Sequence, residues 1–197
     1  YQPILSVRER RVVGYEALAR WMHPERGLVP PVNFIPIAEE TGLIVAIERQ
    51  ILQQACSQMK NWLAHFPKDY PSFVSVNLAH RQILQPDLVD HVQSVLRDTG
   101  LQPEHLKLEI TENVLFEDPQ SATGLLTRLR DLGVQLYIDD FGTGYSSLSY
   151  LHRLPINGLK IDRSFVKRIG EQGENHAVIR TIMNLTRDMN IDAVAEG

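Results

Sequence analysis

The sequence predicts an α/β fold in which short apolar strands alternate with longer helical stretches along one domain of 197 residues. Three observations carry that prediction. Strand-like and helix-like runs follow one another repeatedly, the order expected of a parallel sheet, either doubly wound or closed into a barrel. Runs such as Phe73-Val74-Ser75-Val76 and Leu136-Tyr137-Ile138 are nearly continuous in apolar character, as in strands buried on both faces. Polar or ionisable residues recur at one end of successive strands, the end where α/β barrels assemble their sites.

Taken in chain order, strands are expected over 1–5, 12–19, 73–77, 106–110, 134–138, 159–161 and 193–195. Helical periodicity falls over 44–66, 86–99, 119–132, 146–154 and 176–189. The punctuation agrees with this division. Asp118-Pro119 reads as an N-cap followed by proline at the first helical position. Gly42, Gly100 and Gly133 stand where helices would end, and Asn175 where one would be capped. Within 44–66 the apolar series Ile47, Ile51, Leu52, Ala55, Met59, Leu63 and Phe66 marks a face that covers the sheet, with Cys56 a small core residue beside it.

Composition excludes several classes of function. A formal net charge of −4 argues against a domain held to DNA or RNA by bulk charge. No run is long and apolar enough to span a membrane, and no signal peptide is evident, so this domain is expected to make no membrane contact. A single cysteine allows no internal disulfide, which suits a reducing cytoplasm. The first residue is Tyr1 and the last Gly197. Both ends read as cuts inside a longer protein.

The strand ends narrow the chemistry. Glu16, Asn77, Glu109, the pair Asp139-Asp140, Lys160 and Glu196 each lie at or near the C-terminal end of a different expected strand. A carboxylate within an apolar strand is costly to bury unless it is paired or binds a metal. One such residue would read as a structural ion pair; a recurring series reads as a site. Carboxylate and amide oxygens without clustered histidine or cysteine suit hard cations such as Mg²⁺ or Mn²⁺. Adjacent aspartates could serve two ions about 4 Å apart, the arrangement that clamps both oxygens of an in-line phosphoryl displacement. Lys160 could hold the attacking water or offset charge gathering on phosphate. Metal-assisted phosphoester hydrolysis follows from the residues themselves.

These same residues resemble the EAL domain family. Glu16-Ala17-Leu18 with Arg20 is similar to the motif that names it. The blocks Ser75–Leu78, Glu109–Glu112, Asp139–Leu148, Lys160–Asp162 and Val194–Gly197 follow in the family's order. The resemblance covers essentially the whole chain, and the long aspartate–glycine block is its most specific part. It implies a (β/α)₈ TIM-like barrel with one antiparallel strand, whose last strand and helix are absent from this chain. It also implies hydrolysis of cyclic di-GMP to linear pGpG with two divalent cations. Glu16, Asn77, Glu109 and Asp139 would ligate one ion. Asp139 and Asp140 would ligate the second, with Glu196 nearby. Lys160 would contact the attacking water, Arg20 a substrate phosphate, and Gln2 the guanine end. Phe141, Gly142, Thr143, Gly144 and Ser146 would belong to a regulatory loop braced by Glu112. A homodimer, and fusion to sensor or cyclase (GGDEF) domains, are likewise implied.

Plainer roles compete at several positions. Arg20 alone would be a surface ion pair, Asp162 a cap or structural ion pair, and Glu112 a structural residue. Trp21 and Trp62 read as packing residues, and the seven histidines show no ligand spacing. The main rival function is a receptor that binds cyclic di-GMP without cutting it. Retention of every matched ligand favours the enzyme.

Overall fold

The computed structural model describes residues 1–66, 71–112, 119–142, 151–167 and 174–196. Its main-sheet strands are β1 (Gln2–Ser6), β2 (Arg11–Ala17), β5 (Phe73–Leu78), β6 (Leu106–Thr111), β7 (Gln135–Phe141), β8 (Gly158–Ile161) and β9 (Asp192–Ala195). A hairpin adds β3 (Trp21–His23) and β4 (Gly27–Val29). The helices are α1 (Pro31–Thr41), α2 (Ile44–His65), α3 (His80–Ile83), α4 (Leu88–Thr99), α5 (Pro119–Asp131), α6 (Arg163–Val166) and α7 (Glu174–Met189). The main strands are ordered β1-β2-β5-β6-β7-β8-β9, and the contacts group into two units, Tyr1–Leu108 and Glu109–Gly197.

In the first unit β1 runs antiparallel to β2, with Gln2 opposite Glu16. β2 then pairs in parallel with β5, Glu16 beside Ser75 and Ala17 beside Val76. Gly14 is required where β2 passes Phe73, because a Cβ there would overlap the phenyl ring. β5 is buried at four of its six positions, the both-faces burial its composition predicts. Helix α2 packs against β5 and α4. Its buried residues are Ile44, Glu48, Leu52, Ala55, Cys56 and Met59. The inward face is therefore centred one position away from the expected series, and Leu63 and Phe66 are exposed. Cys56 is a buried core thiol, as the sequence suggested, and burial pushes its pKa up to about 12. Helices α1 and α4 end at Gly42 and Gly100, both in the left-handed region that favours glycine.

In the second unit β7, β8 and β9 are parallel neighbours. β8 is buried throughout. Tyr137 on β7 lies against Gly158 on β8, where any Cβ would collide with the ring. Its hydroxyl donates to Asp192 Oδ2 at 2.5 Å, linking β7 to the first residue of β9. Burial, then this hydrogen bond, raise the Tyr137 pKa. Helix α5 covers β7, and α7 covers β8 and β9.

Several boundaries differ from expectation. β7 continues through Asp139 and Asp140 to Phe141, so the aspartates lie within the strand and do not follow it. Asn175 lies inside α7 and is not its cap. The hairpin and α1 were not expected: each hairpin strand has three residues, and α1 contains Pro36, ordinarily a helix breaker. Asp118 and most of the 146–154 helix fall outside the described residues.

Candidate metal and phosphodiester centre

In the second unit the polar strand-end residues converge on Lys160. Lys160 sits in β8 with a side chain only 2% exposed. Its Nζ lies 2.7 Å from Glu109 Oε2, 3.1 Å from Asp139 Oδ1 and 2.8 Å from Glu196 Oε1. Glu109 and Asp139 are buried, whereas the Glu196 side chain is 28% exposed. Glu196 follows β9 directly, and its backbone N–H donates to the Ile161 carbonyl at 3.2 Å, which ties it to the end of β8. A buried ammonium with three carboxylates is sustained only because the charges compensate one another.

Asp140 has φ +53°, a left-handed conformation uncommon for a residue with a side chain. The β7–β8 register shifts between Ile138 and Phe141. Successive strand residues normally point to opposite faces; the shift and the left-handed residue break that alternation. Ligand atoms of Asp139, Asp140 and Glu196 consequently lie within 4.8 Å of one another. The Asp140 N–H donates to Asp139 Oδ1 at 3.0 Å, holding that carboxylate in place. Four carboxylates against one ammonium leave three formal negative charges in this cluster. The donor set is oxygen-only, so it fits a hard divalent cation.

Just beyond the strand, Gly142 has φ +98° and donates its N–H to Glu112 Oε2 at 3.0 Å. Glu112 is itself buried, at 2% exposure. Phe141 is buried. Thr143, Gly144 and Ser146 lie outside the described residues. Asp162 caps α6, its Oδ1 accepting from Ser164 N at 3.0 Å and from Ser164 Oγ. Those hydrogen bonds lower its pKa, which makes the capping role the better reading of Asp162.

The first unit places Glu16 and Asn77 together. Both are the penultimate residues of their strands, and Asn77 Nδ2 donates to Glu16 Oε1 at 2.9 Å. Using the amide nitrogen on Glu16 leaves Asn77 Oδ1 as an acceptor suited to a cation. Gln2 is exposed on β1 opposite Glu16. Arg20 is exposed and donates to the Ala19 carbonyl at 2.8 Å.

Next to Glu16 opens a cleft of about 700 Å³ whose walls include Leu18, Arg20, Trp21 and Phe34. Its size suits a small organic ligand. Trp21 is 45% exposed, with its ring 5.9 Å from that of Phe34 in an edge-on contact. It is thus a cleft wall more than the packing residue expected from sequence. Trp62 packs on Tyr1 and Tyr15 as expected.

Sequence reasoning missed Glu48. It is 7% exposed, accepts a hydrogen bond from Ala79 N at 2.8 Å, and its pKa is raised to about 8, chiefly by burial. The available signal was its spacing: Glu48 stands four residues from both Ile44 and Leu52, on the buried face of α2.

Comparison with known proteins agrees with the motifs. The chain matches the EAL domain family across residues 1–197. An uncharacterized signaling protein of Caulobacter vibrioides is 45% identical over 197 residues, covering all of this chain and 24% of that protein. The bifunctional diguanylate cyclase/cyclic di-GMP phosphodiesterase MucR of Pseudomonas aeruginosa is 43% identical, with 100% of this chain and 28% of MucR covered. The chain thus spans about a quarter of the length of these curated relatives. The solved MucR phosphodiesterase in complex with c-di-GMP superposes with a TM-score of 0.94 at 43% identity, covering all of this chain and 79% of that one. The mostly parallel α/β architecture with its antiparallel β1 is the TIM-like fold of these domains, and the chain belongs to the EAL domain family.

Proposed function

We propose that this chain is a metal-dependent phosphodiesterase that opens cyclic di-GMP to linear pGpG. The observation that carries the reading is Lys160, buried among Glu109, Glu196 and Asp139, with Asp140 completing the acidic cluster. Glu16, Asn77, Glu109 and Asp139 are proposed to hold one divalent cation. Asp139 and Asp140 are proposed to hold a second, with Glu196 beside them. Mg²⁺ or Mn²⁺ suits these oxygen donors. When bound, such ions supply Lewis-acid stabilisation to the phosphodiester and acidify the attacking water.

The chain's own residues supply the rest. Lys160 orients the carboxylates and offers an ammonium to the water and to charge developing on phosphate. Glu196, partly exposed at the rim of the cluster, can take a proton from that water. Water adds to phosphorus as Glu196 takes its proton, the P–O3′ bond breaks, and the departing O3′ takes up a proton from solvent. Arg20 is proposed to engage a phosphate and Gln2 the guanine end, with the cleft beside Leu18 and Trp21 receiving part of the nucleotide. Glu112 and Gly142, with Phe141, Thr143, Gly144 and Ser146, form the proposed regulatory segment.

A cytoplasmic homodimer, joined in one polypeptide to sensor or cyclase domains, completes the proposal. The length of MucR and its bifunctional name support the fusion. The rival reading is a receptor that binds the nucleotide uncut. Chromatography of cyclic di-GMP incubated with the protein and Mn²⁺, with and without chelator, separates them. Chelator-sensitive pGpG supports the enzyme; tight binding without product supports the receptor.

A further inference from the structure

The N–H and C=O of Ala79 are both engaged at the point where β5 gives way to α3. Its carbonyl accepts from Gln82 N at 3.0 Å and Ile83 N at 3.2 Å, opening the helix. Its N–H donates to Glu48 Oε1 at 2.8 Å. Ala79 is the N-cap position, with extended backbone and no side-chain cap of its own. Backbone donors at such a junction depend on side chains or water for a partner, and here α2 reaches across to provide one. The carboxyl is held in an otherwise apolar face made by Ile44, Leu52, Ala55 and Met59. An acid at such a position costs stability unless its hydrogen bond compensates. Glu48 therefore does something for the Ala79 junction that the core alone does not need.

Asn77 lies two residues before Ala79 and donates to Glu16 at 2.9 Å. We propose that Glu48 is a positioning residue for Asn77. By pinning Ala79, Glu48 sets how β5 ends and where Asn77 Oδ1 points relative to the Glu16 carboxylate. The inference rests on the reading of Asn77 and Glu16 as cation ligands. Residues that support ligands from outside the coordination shell typically cost about 10–100-fold in metal affinity when removed. Acting through two backbone links, Glu48 belongs at the lower end of that range.

The test compares Glu48→Gln, which keeps a carbonyl acceptor for Ala79 N–H, with Glu48→Met, which keeps length and removes it. Mn²⁺ affinity is measured by calorimetric titration, Ala79 amide exchange by NMR, and folding by urea denaturation. Glu48→Met is expected to weaken Mn²⁺ about tenfold and release the Ala79 amide to exchange, with Glu48→Gln within about threefold of wild type. If Glu48→Met shows no cooperative urea transition, Glu48→Asp carries the same expectation, since it draws the oxygen back by one methylene. Wild-type Mn²⁺ affinity in a folded Glu48→Met protein would overturn the positioning role and leave the site intact. A wild-type protein that takes up no Mn²⁺ would overturn the ligand reading, and the positioning role with it.

Discussion

Lys160→Met removes the only ammonium from the acidic cluster described in the second unit, and its cost can be worked from the contacts. The three Nζ–oxygen distances of 2.7, 3.1 and 2.8 Å each correspond to about 5–6 kcal/mol of gross attraction at an effective dielectric of about 20. Desolvating the ammonium and its partners offsets most of that. Breaking a buried pair by removing one partner costs a net of about 3–5 kcal/mol, because uncompensated charge stays behind. Methionine nearly matches lysine in length, so the cavity contribution is small. With a urea slope of about 2 kcal/mol per molar, the midpoint should fall by about 1.5–2.5 M in the presence of a chelator.

Divalent cation then provides the sharper half of the test. An ion that binds only the folded state at 100 times its dissociation constant adds about 2.7 kcal/mol. Mn²⁺ should therefore restore more than half of what Lys160→Met loses, since it replaces the missing positive charge. Urea denaturation followed by circular dichroism at pH 7.5, with chelator and with Mn²⁺, measures both. A midpoint shift below about 0.3 M in chelator would refute the picture of a charge-compensated buried cluster. A full shift that Mn²⁺ leaves unchanged would refute the cluster as a cation site.

Further outcomes follow from other contacts. Glu48 keeps its proton in the folded protein to about pH 8 against an ordinary value of 4.5, through burial and the Glu39 carboxylate, partly opposed by the Ala79 N–H. Its contribution to stability is thus present below about pH 4.5 and lost as pH rises toward 8. Glu48→Gln should flatten that decline, and urea midpoints across this window check it. Gly158→Ala forces a methyl into the Tyr137 ring and should destabilise by about 1–3 kcal/mol. Tyr137→Phe loses a hydrogen bond to the Asp192 carboxylate and should cost about 1.5–3 kcal/mol; thermal denaturation reads both. Arg10 holds φ +54°, so Arg10→Gly should raise stability by about 0.5–1 kcal/mol, the relief of left-handed strain exceeding the entropy of a freer unfolded chain.

Much of this architecture was legible in the residues. Buried strands announce themselves as β5 and β7 do, by apolar runs too short for helices, and the glycines at 42, 100 and 133 marked helix ends by their conformational freedom. The acidic cluster was legible because carboxylates in apolar strands demand compensation, and Lys160 supplies it. What escaped was governed by contacts distant in sequence. The hairpin Trp21–Val29 is too short to show a period, and α1 tolerates Pro36 within it. The left-handed Asp140 left no trace in composition, although it is what turns two consecutive aspartates toward Glu196. Glu48 looked like an ordinary polar residue in a helix because its partner, Ala79 N–H, is 31 residues away.

Asp139 touches every part of the proposed chemistry: it contacts Lys160, accepts from the Asp140 N–H, and is proposed to serve both cations. Turnover of cyclic di-GMP at saturating Mn²⁺, measured for wild type and Asp139→Asn together with nucleotide binding, is therefore the most direct measurement. The expected result is pGpG formation by the wild-type protein that falls at least about a hundredfold in Asp139→Asn, with nucleotide affinity changed far less. Equal turnover by the two proteins, or none by the wild type despite tight nucleotide binding, would contradict the assignment of this cluster as a phosphodiesterase centre.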